Sequence, residues 1–158
     1  MIRLTIKTEQ ADRIDTTLTL PLHHRIKSRL RVVLDNGQEA GLFLDRGTTL
    51  KDGDLVCTDG GYSVQIRAAN EALSRVTSGD PHLLARACYH LGNRHVSIQI
   101  EPTCISYPHD HVLDEMLRGL DFEVSHAEAP FEPEPGAYGG SAKNAHNRDH
   151  GHHHAHHH

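Results

Sequence analysis

At 158 residues and a formal net charge of −5, the chain is long enough for one to two domains and too acidic to neutralise a phosphate backbone. With no Trp and only seven Tyr or Phe it also lacks a base-stacking platform, so nucleic acid is excluded as a partner. No apolar run approaches a membrane span, "MIRLTIKTEQ" lacks the apolar core of a secretion signal, and three cysteines without C-x-x-C spacing make no disulfide framework; a cytoplasmic protein with no membrane association is expected.

The first part of the chain reads as strands. "IRLTIK" sets Ile2, Leu4 and Ile6 on one face, and "SRLRVVLDNGQEAGLFL" alternates Leu30, Val32 and Leu34 with polar partners before Asn36-Gly37 supplies the positive-φ positions of a tight hairpin turn. "YSVQIRA" aligns Tyr62, Val64, Ile66 and Ala68. No helical periodicity is visible before about residue 78, and His23-His24 after Pro21 read as a loop. Short strands separated by Gly-containing turns predict an all-β, sandwich-like domain over residues 1–70.

The character then changes. "EALSRVTS" reads as a strand and "SGDPHLLARACYHLGNRHV" as a helix capped by Asp80, opened by Pro81 and closed by Gly92 in the left-handed region. Leu84, Ala87, Cys88 and Leu91 form its buried stripe. "VSIQI" and "TCISY" pair as a hairpin about Glu101-Pro102. "HDHVLDEMLRGL" is a short helix with Leu113, Met116, Leu117 and Leu120 on one face, ended by Gly119. "DFEVSH" is the last strand, with His126 on its apolar side. The order βαββαβ over 71–128 predicts a ferredoxin-like domain, so the fold class is α+β. From Ala129 onward Pro, Gly and small polar residues predict a flexible linker and tail over 129–158.

Histidine is the compositional extreme: 16 residues, of which only His23 and His24 precede residue 80. Three in the body stand out as metal-ligand candidates. His95 precedes the first hairpin strand and His109 follows the second, so antiparallel pairing puts both at one end of the sheet. His109 and His111 would diverge by about 200° on a helix but share a side on an extended chain. Pro108 and a capping Asp110 favour the extended arrangement. On the residues alone a single His at a helix exit reads first as structural, and His-x-His leaves metal binding open. His95 needs a second copy of itself, across a two-fold axis, to hold an ion.

The tail carries the stronger signal. His146, His150, His152, His153, His154, His156, His157 and His158 crowd the last thirteen residues, and Ala155 interrupts the run as it would not in a purification tag. Imidazole suits Ni(II), Cu(II) and Zn(II). A flexible segment of about 15 residues reaches on the order of 20 Å, enough to load or complete a site on the body. No H-E-x-x-H or nucleophile constellation accompanies these histidines, so a binding protein and not an enzyme is expected.

"ACYHLGNRHVSIQI", "HDHVLDEML", "PFEPEPGAY", the His-rich end and "KSRLRVVLDNGQEAGLFLDRG" together resemble the urease accessory protein UreE family of nickel metallochaperones, over nearly the whole chain. The resemblance implies a homodimer in which His95 of the "GNRH" motif is the interface ligand, His109 and His111 are secondary ligands, and the tail adds nickel capacity. It implies delivery of Ni(II) for the urease active site, in partnership with the urease accessory GTPase and with apo-urease and the other accessory proteins. The first domain resembles a chaperone peptide-binding module that contacts partners. A general His-rich divalent-metal buffer is the alternative, since affinity order alone favours Cu(II) over Ni(II).

Overall fold

The computed structural model describes residues 1–136; the histidine tail expected to bind metal lies outside the described residues. The fold is α+β, and the chain divides into two compact units at about residue 68.

The N-terminal unit carries β1 (Ile2–Leu4), β2 (Ile6–Thr8), β3 (Thr16–Leu20), a one-turn helix α1 (Leu22–Arg25), β4 (Arg29–Val33), β5 (Glu39–Phe43), β6 (Leu55–Cys57) and β7 (Ser63–Ala68). A three-stranded sheet of order β1-β5-β4 and a four-stranded sheet of order β2-β6-β7-β3 enclose one apolar core. Leu4, Val32 and Leu42 come to it from the first sheet, Leu18, Val56, Val64 and Ile66 from the second. The alternation seen in the sequence is the cause, because a strand sends every second side chain inward.

Three expectations fail here. Ile6 does not continue the face of Leu4: the chain changes sheets at Thr5, β1 pairing in parallel with β5 and β2 antiparallel with β6, and Ile6 is left exposed. His23 and His24 lie on α1, not in a loop; one turn is too short to show a helical period. That turn buries Arg25, which donates from Nε to the Leu20 carbonyl and from Nη1 to the Leu50 carbonyl, each at 3.1 Å. Of Asn36 and Gly37 only the glycine has positive φ, 91°, and the hairpin closes with a bond from the Leu34 amide to the Gln38 carbonyl at 2.8 Å.

The C-terminal unit runs β8 (Asn70–Thr77), α2 (Pro81–Asn93), β9 (Gln99–Glu101), β10 (Cys104–Pro108), α3 (His111–Gly119) and β11 (Ser125–Pro130). Its antiparallel sheet has the order β11-β8-β10-β9, the ferredoxin-like βαββαβ arrangement. Leu84, Ala87 and Leu91 of α2 and Leu117 of α3 are buried with Val76, Ile105 and Tyr107 of the sheet. Asp80 and Asp110 cap the two helices, accepting from the amides of His82 at 2.9 Å and Val112 at 2.8 Å.

The helix exits depart from expectation. Gly92 lies inside α2 and Gly119 inside α3; the left-handed residues are His95, with φ of 58°, and Asp121, with φ of 69°. Both exits are Schellman turns. The Val96 amide reaches back to the Leu91 carbonyl at 3.2 Å, and the Phe122 amide to the Leu117 carbonyl at 3.0 Å. In each, the residue after the left-handed one packs into the core that also holds the helix residue five back, and this apolar pairing sets the exit without a glycine. Phe122 therefore belongs to a turn, and the last strand begins at Ser125. It runs on to Pro130, past the point where the linker was expected to start, and Phe131 is buried. A proline is tolerated there because β11 is an edge strand.

Candidate metal centre

The register of the C-terminal unit's sheet builds the site. Tyr107 of β10 and His126 of β11 are both paired with Ser74 of β8, so the three stand side by side on one face of the sheet. His109 follows two residues after Tyr107 on a still-extended chain, its amide donating to the Ala72 carbonyl at 3.0 Å. The chain then turns at Asp110 into α3, whose first turn places Asp114 over this row.

Asp114 is the hub. Its Oδ1 accepts from the Tyr107 hydroxyl at 2.6 Å; its Oδ2 faces His126 Nε2 at 2.8 Å and His109 Nδ1 at 3.2 Å. Ser74 Oγ lies 3.1 Å from the same His109 nitrogen. The carboxylate is almost fully buried, whereas the His109 and His126 side chains are 44% and 51% exposed. The two rings meet edge to face, 4.5 Å between centroids.

The electrostatics follow from that burial. Desolvation opposes the Asp114 charge, but hydrogen bonds from Tyr107, Ser74 and His126, with the neighbouring His109, outweigh it and hold the carboxyl below its ordinary pKa. Burial and then the bond to Asp114 push the Tyr107 hydroxyl far above its ordinary value, so it remains a donor. The result is a fixed anion at the base of an open pair of imidazoles.

Among the described residues, His109, Asp114 and His126 are the group of donor atoms close enough to share an ion, all within 4.8 Å of one another. The other body candidates are placed differently. His111 is the first residue of α3, and its Nε2 lies 3.6 Å from Glu115 Oε1 one turn on, away from this group. His95 is exposed at the α2 exit. The β9–β10 hairpin turns directly after Glu101, as expected. Stepping back along β9 from the Gln99–Ser106 pair and forward along β10 brings position 96 level with 109. His95 and His109 thus stand at the same end of that hairpin.

Sequence reasoning did not assign Asp114 as a ligand; it put His126 on the apolar side of the last strand as a satisfied, semi-buried residue, and there it stands, beside the buried Ser74 and Tyr107, half-exposed and bonded to Asp114. A signal for Asp114 was present: it lies three residues before Leu117, on the core-facing side of α3, where a carboxylate needs partners. His126 had none, because its role depends on pairing with a strand far away in sequence.

The two units correspond to two known domains. The UreE urease accessory protein N-terminal domain matches residues 3–69, and its C-terminal domain matches residues 71–158. The class is therefore that of two-domain urease accessory proteins. The urease accessory protein UreE of Pseudomonas putida (strain W619) is 57% identical over 139 residues, 87% of this chain and 86% of that protein. That of Citrobacter koseri is 54% identical over 96% of this chain and 98% of its own, and that of Escherichia coli O157:H7 is 48% identical over 94% and 97%. The chain belongs to the UreE urease accessory protein family.

Proposed function

We propose that this protein binds Ni(II) as cargo and hands it on during maturation of urease. The observation that carries this reading is the match of both units, in order and over most of the chain, to urease accessory proteins. The chemistry supports it: exposed imidazoles are concentrated in the C-terminal unit and in the sequence beyond it, and imidazole is a good Ni(II) ligand. No H-E-x-x-H or similar catalytic motif accompanies them, and the reading needs no turnover.

The protein works as a homodimer in which His95 from each copy shares one ion at a two-fold axis. One imidazole per copy gives a weak, open site suited to release. His109 and the tail histidines collect further ions. The recipients are the urease accessory GTPase and, through it, apo-urease with the other accessory proteins. Cytoplasmic action is part of the same reading and rests on the odd cysteine count. Among the described residues no helix is long and apolar enough to cross a membrane.

Equilibrium dialysis against Ni(II) tests the binding. Replacing the tail histidines should lower the number of ions bound and leave a site shared by the dimer, which His95→Ala then removes. Co-precipitation with the urease accessory GTPase should strengthen when Ni(II) is present. Binding of Ni(II) without any association with that GTPase would instead indicate a metal buffer, and no Ni(II) binding would end the proposal.

A further inference from the structure

We infer that the body of each protomer holds a divalent cation of its own between His109, Asp114 and His126, with His126 rather than His111 as the second imidazole. This deepens the nickel reading above and rests on it.

The donor spacing fits an ion. A metal with bonds of about 2.1 Å separates neighbouring donors by about 3.0 Å in octahedral and about 3.4 Å in tetrahedral geometry. Asp114 Oδ2 lies 2.8 Å from His126 Nε2 and 3.2 Å from His109 Nδ1, and the three donor atoms fall within 4.8 Å of each other. Side-chain rotations of the two half-exposed rings close the remaining gap. The backbone beneath them is held: His126 stands on a paired strand, Asp114 on a capped helix, and the His109 amide donates to the Ala72 carbonyl at 3.0 Å.

Without metal, His126 Nε2 donates a hydrogen bond to Asp114 Oδ2, and His109 Nδ1 lies 3.2 Å from the same oxygen and 3.1 Å from Ser74 Oγ. With metal, each neutral ring changes tautomer: the inward nitrogen gives up its proton to solvent, the other nitrogen takes one up, and the lone pair left inward binds the ion. The carboxylate is already ionised and already aimed. Tyr107 fills its other oxygen at 2.6 Å and, being a donor only to Asp114, cannot compete for the metal. Burial of Asp114 beneath exposed imidazoles leaves the outer coordination positions open to water or to incoming ligands. An open face is what a transferable cargo requires, since another ligand must bind before the first three let go.

His111 lacks these features. It is 78% exposed, its neighbour is Glu115 at 3.6 Å, and it is not among the donor atoms grouped with Asp114.

The test uses the full-length chain with serine at its tail histidines, in two further variants, His126→Gln and His111→Gln. Equilibrium dialysis with Ni(II) and the visible absorption of Co(II) are read for each, with circular dichroism to confirm folding. His126→Gln should lose the ion held within each protomer and change the Co(II) spectrum, while His111→Gln leaves both as they were. The opposite pattern overturns the assignment, as does metal uptake indifferent to both changes; in either case uptake lost with His95→Ala leaves the nickel reading standing. Absence of Ni(II) binding by the unsubstituted full-length chain would remove the nickel reading itself.

Discussion

The N-terminal and C-terminal units handle left-handed backbone in opposite ways. Every positive-φ residue described in the first unit is a glycine: Gly37, Gly47, Gly53 and Gly61. Those in the second are His95 and Asp121. The two units also use bridging carboxylates differently. In the first, Asp35 accepts from the hydroxyls of Thr17 at 2.6 Å and Thr19 at 2.8 Å and so ties the β4–β5 turn to β3. In the second, Asp114 performs the same bridging but with two imidazoles among its partners. Hydroxyl and amide donors hold a fold and offer little to a cation. Imidazoles in the same positions hold the fold and also carry nitrogen donors of the kind a metal takes. The first unit confines its left-handed backbone to glycine, whereas the second places a histidine and an aspartate there.

The largest expected effect sharpens that contrast. Asp114→Asn places an amide where a buried carboxylate faces two ring nitrogens, and it should cost about 2–3 kcal/mol in urea unfolding. Asp35→Asn, at an exposed position where water replaces lost bonds, should cost about 0.5–1 kcal/mol. Equal costs would mean that the two carboxylates are interchangeable structural bridges and that burial beneath the imidazoles confers nothing.

Acid separates them further. Both carboxyls are held below their ordinary value of 3.8: burial opposes the charge in each, and hydrogen bonds, chiefly from Tyr107 to Asp114 and from Thr17 to Asp35, more than offset it. A depressed folded-state pKa stabilises the fold fully above the unfolded value, and that contribution disappears as pH falls through the lowered folded value. The stability gap between the native chain and Asp114→Asn should therefore be constant near neutrality and close as pH falls below about 3.8. Asp35→Asn should show the same closure with a smaller amplitude. A gap that persists in acid would show that the asparagine cost is steric, not electrostatic.

This contrast also explains what the sequence could reveal. The sheets were legible because Val32 and Leu34, or Val64 and Ile66, alternate with polar neighbours, and α2 because Leu84, Ala87 and Leu91 repeat at helical spacing between an Asp80 cap and a Pro81 start. The ferredoxin-like order followed from those elements. His109 stood out in the sequence through its His-x-His setting and the proline before it. The Asp114 hub was hidden because the row Tyr107–Ser74–His126 exists only once three strands have paired. The helix exits were misread because a glycine in each last turn drew the left-handed position to itself, while the positions were fixed instead by where Val96 and Phe122 meet the core.

The smallest effect addresses that last point directly. A residue with a Cβ pays roughly 1 kcal/mol or more to sit in the left-handed region, and glycine avoids it at the expense of a more flexible unfolded chain. His95→Gly should therefore leave the fold as stable as before or raise stability by up to about 1 kcal/mol, read by urea unfolding, while Gly37→Ala in the first unit should lower it by a similar amount. A histidine that weakens its own turn is retained for something other than the turn. If His95→Gly proves clearly destabilising, the imidazole is itself holding the α2 exit, the contrast between the two units loses one of its two supports, and a structural role competes with the metal role proposed for that residue.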